Sequence, residues 1–155
     1  MSNDLKIAFG SQTGNAKNLA YTIGEQLAAR GLLNEVIDMS AMEPEELHHT
    51  HYLLIVTSTY GDGEAPENAS EWLSFLKFND HLNLHQLSFS VLGLGDTYYP
   101  HFCGCAKDFD EFLASHGAHR LTARLDCDLY YEEQYGEWIE EFTSSLLKTM
   151  KERDE

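Results

Sequence analysis

Lysine and arginine are scarce in this chain: ten stand against 26 aspartates and glutamates, a formal net charge of −16 at pH 7. A nucleic-acid partner is excluded, because such binders neutralise phosphates with basic side chains. Acidic phospholipid surfaces are disfavoured for the same reason. No apolar run approaches the roughly 18 residues that a membrane helix needs, so no membrane partner is expected. The three cysteines, Cys103, Cys105 and Cys127, are too few and too odd in number for a disulfide framework. The N-terminal MSNDLKIAFG enters a strand-like run without a secretory pattern. A reducing, cytoplasmic location is the expectation.

What is present suits a packed domain. The 155 residues are 43% hydrophobic and 12% aromatic, enough for one core. One domain over residues 1–150 is expected, followed by a charged tail, Lys151–Glu155, expected to fray. Short apolar runs alternate with helical repeats. Leu5–Gly10, Asn34–Asp38, Tyr52–Ser58 and Leu87–Gly95 read as strands. The continuous apolar β-formers of the third and fourth mark strands covered on both faces. Ala118–Cys127 reads as a less apolar last strand nearer an edge. Ala16, Leu19, Ala20, Ile23 and Leu27 recur at helical spacing, and so do Trp72, Phe75 and Leu76. Ala106, Phe109 and Leu113 mark a third helix; Ile139, Phe142, Leu146 and Met150 mark the last. Alternating strands and helices imply parallel strands joined by right-handed crossovers. The expected fold is an α/β doubly wound sandwich of five strands and about five helices.

In such sheets ligands bind outside the carboxyl ends of the strands, where the winding reverses. Three loops fall at strand ends. Ser11-Gln12-Thr13-Gly14-Asn15-Ala16 sets hydroxyls, an amide and a glycine around a helix N-terminus. That makes a phosphate cradle of free N–H groups and positive dipole, or a capped turn with no ligand. It is not a nucleotide P-loop, since only three residues separate Gly10 from Gly14 and no lysine follows directly. The turn Thr57 to Pro66 carries Tyr60 at its tip, either to lie flat on a planar ligand or to stand exposed. The segment Leu94 to Cys103 again joins glycine, hydroxyls and aromatics, for a ring or for core packing. Together the loops suggest one phosphate and one flat ring.

At these loops the chain resembles the flavodoxin family, in particular the FMN domains of diflavin reductases. Ser-Gln-Thr-Gly-Asn-Ala, Thr-Ser-Thr-Tyr-Gly-Asp-Gly-Glu and Leu-Gly-Asp-x-x-Tyr-x-x-Phe-Cys carry the likeness. It continues through Lys107–Asp110, Gly117-Ala118 and Trp138. The resemblance implies a flavodoxin-like sheet in the order 2-1-3-4-5 and FMN as cofactor. Ser11, Gln12, Thr13, Gly14, Asn15 and Ala16 would hold the phosphate. Tyr60 and Tyr99 would cover the two ring faces. Ser58, Thr59, Gly61, Leu94, Gly95, Asp96, His101, Phe102 and Cys103 would line the site. Asp126 to Asp128 would lie beside the ribityl or ring, with Asp128 the candidate among them. A short-chain type is implied, because no insertion of roughly 20 residues fits between Gly117 and Asp126.

The function implied is electron carriage rather than stand-alone catalysis, with no catalytic residue or metal site assigned. Partners would be basic redox proteins: a flavin reductase as donor and a haem, iron–sulfur or similar protein as acceptor. A monomer is expected. An FMN oxidoreductase acting directly on a quinone is the alternative. A receiver domain is set aside, because Thr57-Ser58-Thr59 stands where its phosphorylatable aspartate would be. His48, His49 and His51 read as a solvated polar loop rather than a metal cluster. The glutamates of the last helix read as a solvated face or a dock for a basic partner.

Overall fold

A computed structural model describes residues 5–10, 14–58, 67–95, 104–128 and 131–154. In chain order they form β1 (Leu5–Gly10), α1 (Asn15–Ala29), β2 (Asn34–Asp38), β3 (Tyr52–Ser58) and α2 (Glu67–Phe78). There follow β4 (Ser88–Leu94), α3 (Gly104–Ser115), β5 (His119–Arg120), β6 (Leu125–Cys127) and α4 (Tyr131–Asp154). Two 3-10 segments, Met39–Ala41 and Pro44–His49, occupy the connection after β2 that sequence marked only as polar.

All pairings are parallel, in the order β2-β1-β3-β4, with β5 and β6 both beside β4. The sheet thus has the five strand positions 2-1-3-4-5 that were expected, with helices on both faces. Strand periodicity explains the two layers. Leu5, Ile7 and Phe9 of β1, Tyr52, Leu54 and Val56 of β3, and Leu92 and Leu94 of β4 face the buried stripes of α1 and α4. Ala8, Leu53, Ile55, Phe89 and Val91 face Trp72 of α2 and Phe109 of α3. Among the described residues no helix is long and apolar enough to cross a membrane.

The fifth position differs from the single strand expected over Ala118–Cys127. Phe89 pairs with Arg120 and Leu92 with Leu125, so three steps along β4 oppose five along the edge. Two extra residues bulge out. The bulge is held: Thr122 N donates to Ser90 Oγ at 3.1 Å, Trp138 Nε1 to Ala123 O at 2.9 Å, and Ser145 Oγ to Leu121 O at 2.7 Å. The last helix also runs further than its apolar repeat, through Asp154. Arg153 anchors that end, lying 5.1 Å over the Tyr52 ring and donating to Ser88 Oγ at 2.9 Å. These contacts are made by Arg153, which lies in the stretch that sequence suggested would fray.

Candidate functional site

The carboxyl ends of four strands lie level. Register pairs Gly10 with Thr57, Ser58 with Leu94, and Leu94 with Cys127. The chain leaves β1 through α1 toward β2, and leaves β3 through α2 toward β4, so the winding reverses between Gly10 and Thr57. This is where an open parallel sheet leaves a crevice, and flavodoxins are themselves among the folds on which that rule rests.

The floor of the crevice is tightly built. Thr57 Oγ1 donates to Gly10 O at 3.2 Å and lies 3.4 Å from Cys105 Sγ at the start of α3. A Cβ on Gly10 would stand 2.9 Å from Ala69 Cβ, 3.2 Å from Met39 Sδ and 3.3 Å from Thr57 Oγ1. Gly10 therefore lets β1, β3 and α2 meet at the switch point. Beyond the ladder, Gly95 N donates to Cys127 O at 2.9 Å, and Asp128 N donates to Gln134 Oε1 at 3.0 Å. These bonds tie the ends of β4 and β6 to each other and to the first turn of α4.

The N-terminus of α1 opens on the same edge. Its N-cap, Gly14, has φ 92°, a conformation that glycine adopts without strain. A Cβ there would meet nothing within 4 Å. Asn18 N donates to Gly14 O at 2.9 Å, so helical bonding starts there. The N–H groups of the first turn then have no acceptor within the helix. No acidic side chain stands in that turn to neutralise the positive end of the dipole. Asn15 is exposed at the mouth, while the Ala16 side chain is fully buried in the core. Ala16 can therefore offer a ligand only its backbone.

The three residues Asp126 to Asp128 separate by strand alternation. Asp126 faces α3 and accepts Arg124 Nε at 2.8 Å and Nη2 at 3.1 Å, so both its oxygens are engaged. Cys127 packs into the core on the opposite face. Asp128 sits half-buried where the strand ends. Behind Asp126, the buried Asp110 takes both Arg120 Nε and Nη2 at 3.0 Å. Burial pushes the Cys105 thiol up to about 12, against a lowering by the Thr57 bond. Burial, with Asp128 and Asp126 adding to it, does the same to Cys127. Neither thiol is a nucleophile at neutral pH.

Of the residues marked from sequence, Gly14, Asn15, Ala16, Ser58, Leu94, Gly95 and Asp128 all fall along this one edge. Ser11, Gln12, Thr13, Thr59, Tyr60, Gly61, Asp96, Tyr99, His101, Phe102 and Cys103 lie outside the described residues. Sequence reasoning did not mark Gly10, Gln134 or the Arg124–Asp126 pair. Gly10 matters through close neighbours far along the chain, whereas Arg124–Asp126 and Asp128–Gln134 are pairings only two and six residues apart that residue type alone does not announce.

A doubly wound parallel sheet with a helix N-terminus and level strand ends at its switch point is an architecture on which phosphate-bearing cofactors bind. A flavodoxin family profile matches residues 7–139, and the chain belongs to the flavodoxin family. This is an FMN-binding, electron-transfer family. The flavodoxin of Streptococcus pneumoniae TIGR4 superposes with a TM-score of 0.82 at 32% identity, covering 94% of this chain and 99% of that one. The sulfite reductase (NADPH) flavoprotein alpha-component of Bacillus subtilis (strain 168) is 44% identical over 98% of this chain. Its counterpart from Vibrio cholerae (strain O395) is 41% identical over 94%. The chain spans about a quarter of those curated relatives, 24% of each. The described residues fit FMN: open space above Gly14, a helix N-terminus with no acidic side chain in its first turn, and a crevice mouth of backbone and hydroxyl groups.

Proposed function

We propose that this chain binds one FMN noncovalently and passes single electrons from a flavin reductase to an acceptor protein. The observation that carries the reading is the convergence of the α1 N-terminus with the ends of β1, β3, β4 and β6 on one edge. FMN, when bound, supplies the capacity to take up or release one or two electrons. The chain's own residues do the rest. Backbone N–H groups from Ser11 to Ala16, with the hydroxyls of Ser11 and Thr13, would hold the phosphate. Tyr60 and Tyr99 would flank the ring and exclude water from its faces, with Thr59, Gly61, Asp96, His101, Phe102 and Cys103 around them. Asp128 is favoured over its two neighbours, since Asp126 is engaged by Arg124 and Cys127 is turned into the core.

The surplus of carboxylates makes added negative charge in the crevice harder to hold, which lowers the potential for reduction. The same charge speeds encounter with basic partners. Similarity to NADPH-linked sulfite reductase flavoproteins supports NADPH as the ultimate electron source, reached through a separate reductase protein or domain. The haem or iron–sulfur class suits the acceptor. We place the chain in the cytoplasm, as a monomer.

The test is titration of apoprotein with FMN, followed by mixing with an NADPH-dependent flavin reductase and cytochrome c. The expected result is quenched flavin fluorescence, and cytochrome c reduction that requires both the reductase and the loaded protein. Apoprotein that leaves the flavin fluorescence unchanged would refute the cofactor role. Brisk NADPH oxidation by the loaded chain alone would refute carriage in favour of direct catalysis.

A further inference from the structure

An open groove of about 510 Å³ runs between the C-terminal half of α1 and the first half of α4. Leu27 and Ile139, both buried, lie beneath it. A hydrogen bond from Gln26 Nε2 to Tyr135 Oη at 3.2 Å bridges the two helices at one position, and the Arg30–Glu140 ion pair bridges them at another. Leu147 is 49% exposed and stands one turn beyond Thr143, a lining residue, so apolar surface continues along α4.

Gly136 faces this groove from the sixth position of a 24-residue helix. Glycine is disfavoured there relative to alanine. Its φ is not among the positive glycine values, and an added Cβ would meet nothing within 4 Å. Neither backbone conformation nor packing among the described residues therefore requires a glycine. What it supplies is bare helix backbone, open to close approach by another chain.

The surroundings fix the charge of that chain. Glu140 stands on its rim, and Glu25, Glu137 and Glu141 are exposed on neighbouring turns of the two helices, outside the lining itself. Arg30 is the cation among the lining residues, and it is already paired. A second copy of this −16 chain would bring like charge to like. We infer that the α1–α4 groove docks a basic amphipathic helix of a partner protein, its apolar side over Leu27, Gly136 and Ile139 and its lysines or arginines among the glutamates. Helices pack at roughly 8–10 Å between axes, closest where side chains are small, as at Ala29 and Gly136. Twelve residues separate Gly14 from Gln26, about 18 Å of helix. A partner held in the groove leaves the crevice accessible. The inference stands apart from the electron-transfer reading, because it needs neither the cofactor nor a direction of electron flow.

The experiment uses FMN-loaded protein and two fluorescein-labelled 18-residue helical peptides. Both carry leucines at i, i+3, i+4 and i+7; one has a lysine polar face and the other a glutamate polar face. Anisotropy gives affinity, and amide chemical shifts map the site. The lysine peptide is expected to bind and to shift Gln26, Arg30, Gly136, Glu140 and Thr143. Gly136→Leu, which fills the groove and favours the helix, is expected to weaken it at least tenfold with an unchanged flavin spectrum. Glu137→Lys/Glu141→Lys is expected to weaken it comparably through charge alone. Equal binding of both peptides, shifts centred elsewhere, or full affinity in Gly136→Leu would overturn the inference. So would concentration-dependent shifts at these residues without peptide, which would assign the groove to a second copy.

Discussion

Replacing Gly10 by alanine tests whether the switch point is set by close packing. The new Cβ would stand 2.9 Å from Ala69 Cβ, at least ~0.6 Å inside an ordinary carbon contact of about 3.5–4.0 Å. Met39 Sδ, at 3.2 Å, ends a flexible side chain and can yield. Ala69 is fixed in the first turns of α2, and Thr57 Oγ1 is bonded to the carbonyl of the mutated residue. Forcing a methyl into a filled interior destabilises by about 1–3 kcal/mol. Losing glycine's freedom in the unfolded chain returns about 0.4–1 kcal/mol. Taking the midpoints, about 2 kcal/mol lost against about 0.7 returned, the net expectation is a loss of roughly 1.3 kcal/mol, or about 3–5 °C in Tm for a domain of this size. Urea unfolding of the apoprotein reads the loss directly. Ala69→Gly alone weakens α2 by about 1 kcal/mol. In the double variant the two changes should couple favourably by about 1 kcal/mol or more, because the clash is gone. FMN affinity should fall in Gly10→Ala and recover in the pair, since Thr57 shapes the mouth of the crevice. Wild-type stability in Gly10→Ala, or strict additivity in the double variant, would refute the packing argument.

Burial raises the Asp38 carboxyl, but bonds from Ser40 N, Asn68 Nδ2 and Ser40 Oγ, with Lys17 nearby, outweigh it and hold its pKa low. A lowered carboxylate stabilises the fold above its unfolded pKa of about 3.9, and that contribution fades as pH falls through the folded value. The stability advantage over Asp38→Asn should therefore be constant from pH 7 to 5 and shrink below pH 4; a gap independent of pH would count against it. Cys105 and Cys127, pushed up to about 12, should resist iodoacetamide at pH 8 in a Cys103→Ser background and react only in urea, as mass spectrometry would show. Arg153→Ala removes a ring contact and a bond to buried Ser88, worth together about 1–2 kcal/mol; an unchanged Tm would mean that the end of α4 is not anchored there. Tyr99→Ala should weaken FMN by about 1–3 kcal/mol in fluorescence titrations, the sum of lost burial and stacking.

Much of the fold was legible because strand and helix periods are local properties. The runs Tyr52–Ser58 and Leu87–Gly95 became buried central strands, and the α1 stripe Ala16, Leu19, Ala20, Ile23 and Leu27 is buried throughout. The interruption of the last strand was not legible. Nothing within Ala118–Cys127 says that Ser90, some thirty residues earlier, takes the Thr122 N–H in place of a ladder partner. Arg153 illustrates the same limit: its charge suggested a solvated tail, and only the fold brings Tyr52 and Ser88 beneath it. At the site, the start of α1 at Gly14 was readable from residue type, since a glycine just before a helical repeat has a local meaning. The preference for Asp128 needed the third dimension, because strand alternation turns Asp126 toward Arg124 and Cys127 toward the core.

The interrupted fifth position also bears on behaviour at high concentration. An open sheet edge with a long run of free backbone groups recruits strands from other copies. Here that border consists of a two-residue and a three-residue piece, kept out of line by the bulge at residues 121–124. Neither piece is long enough to seed a stable added strand. Deleting two residues from the bulge should straighten the border into one continuous template, and the protein would then become prone to forming ribbons.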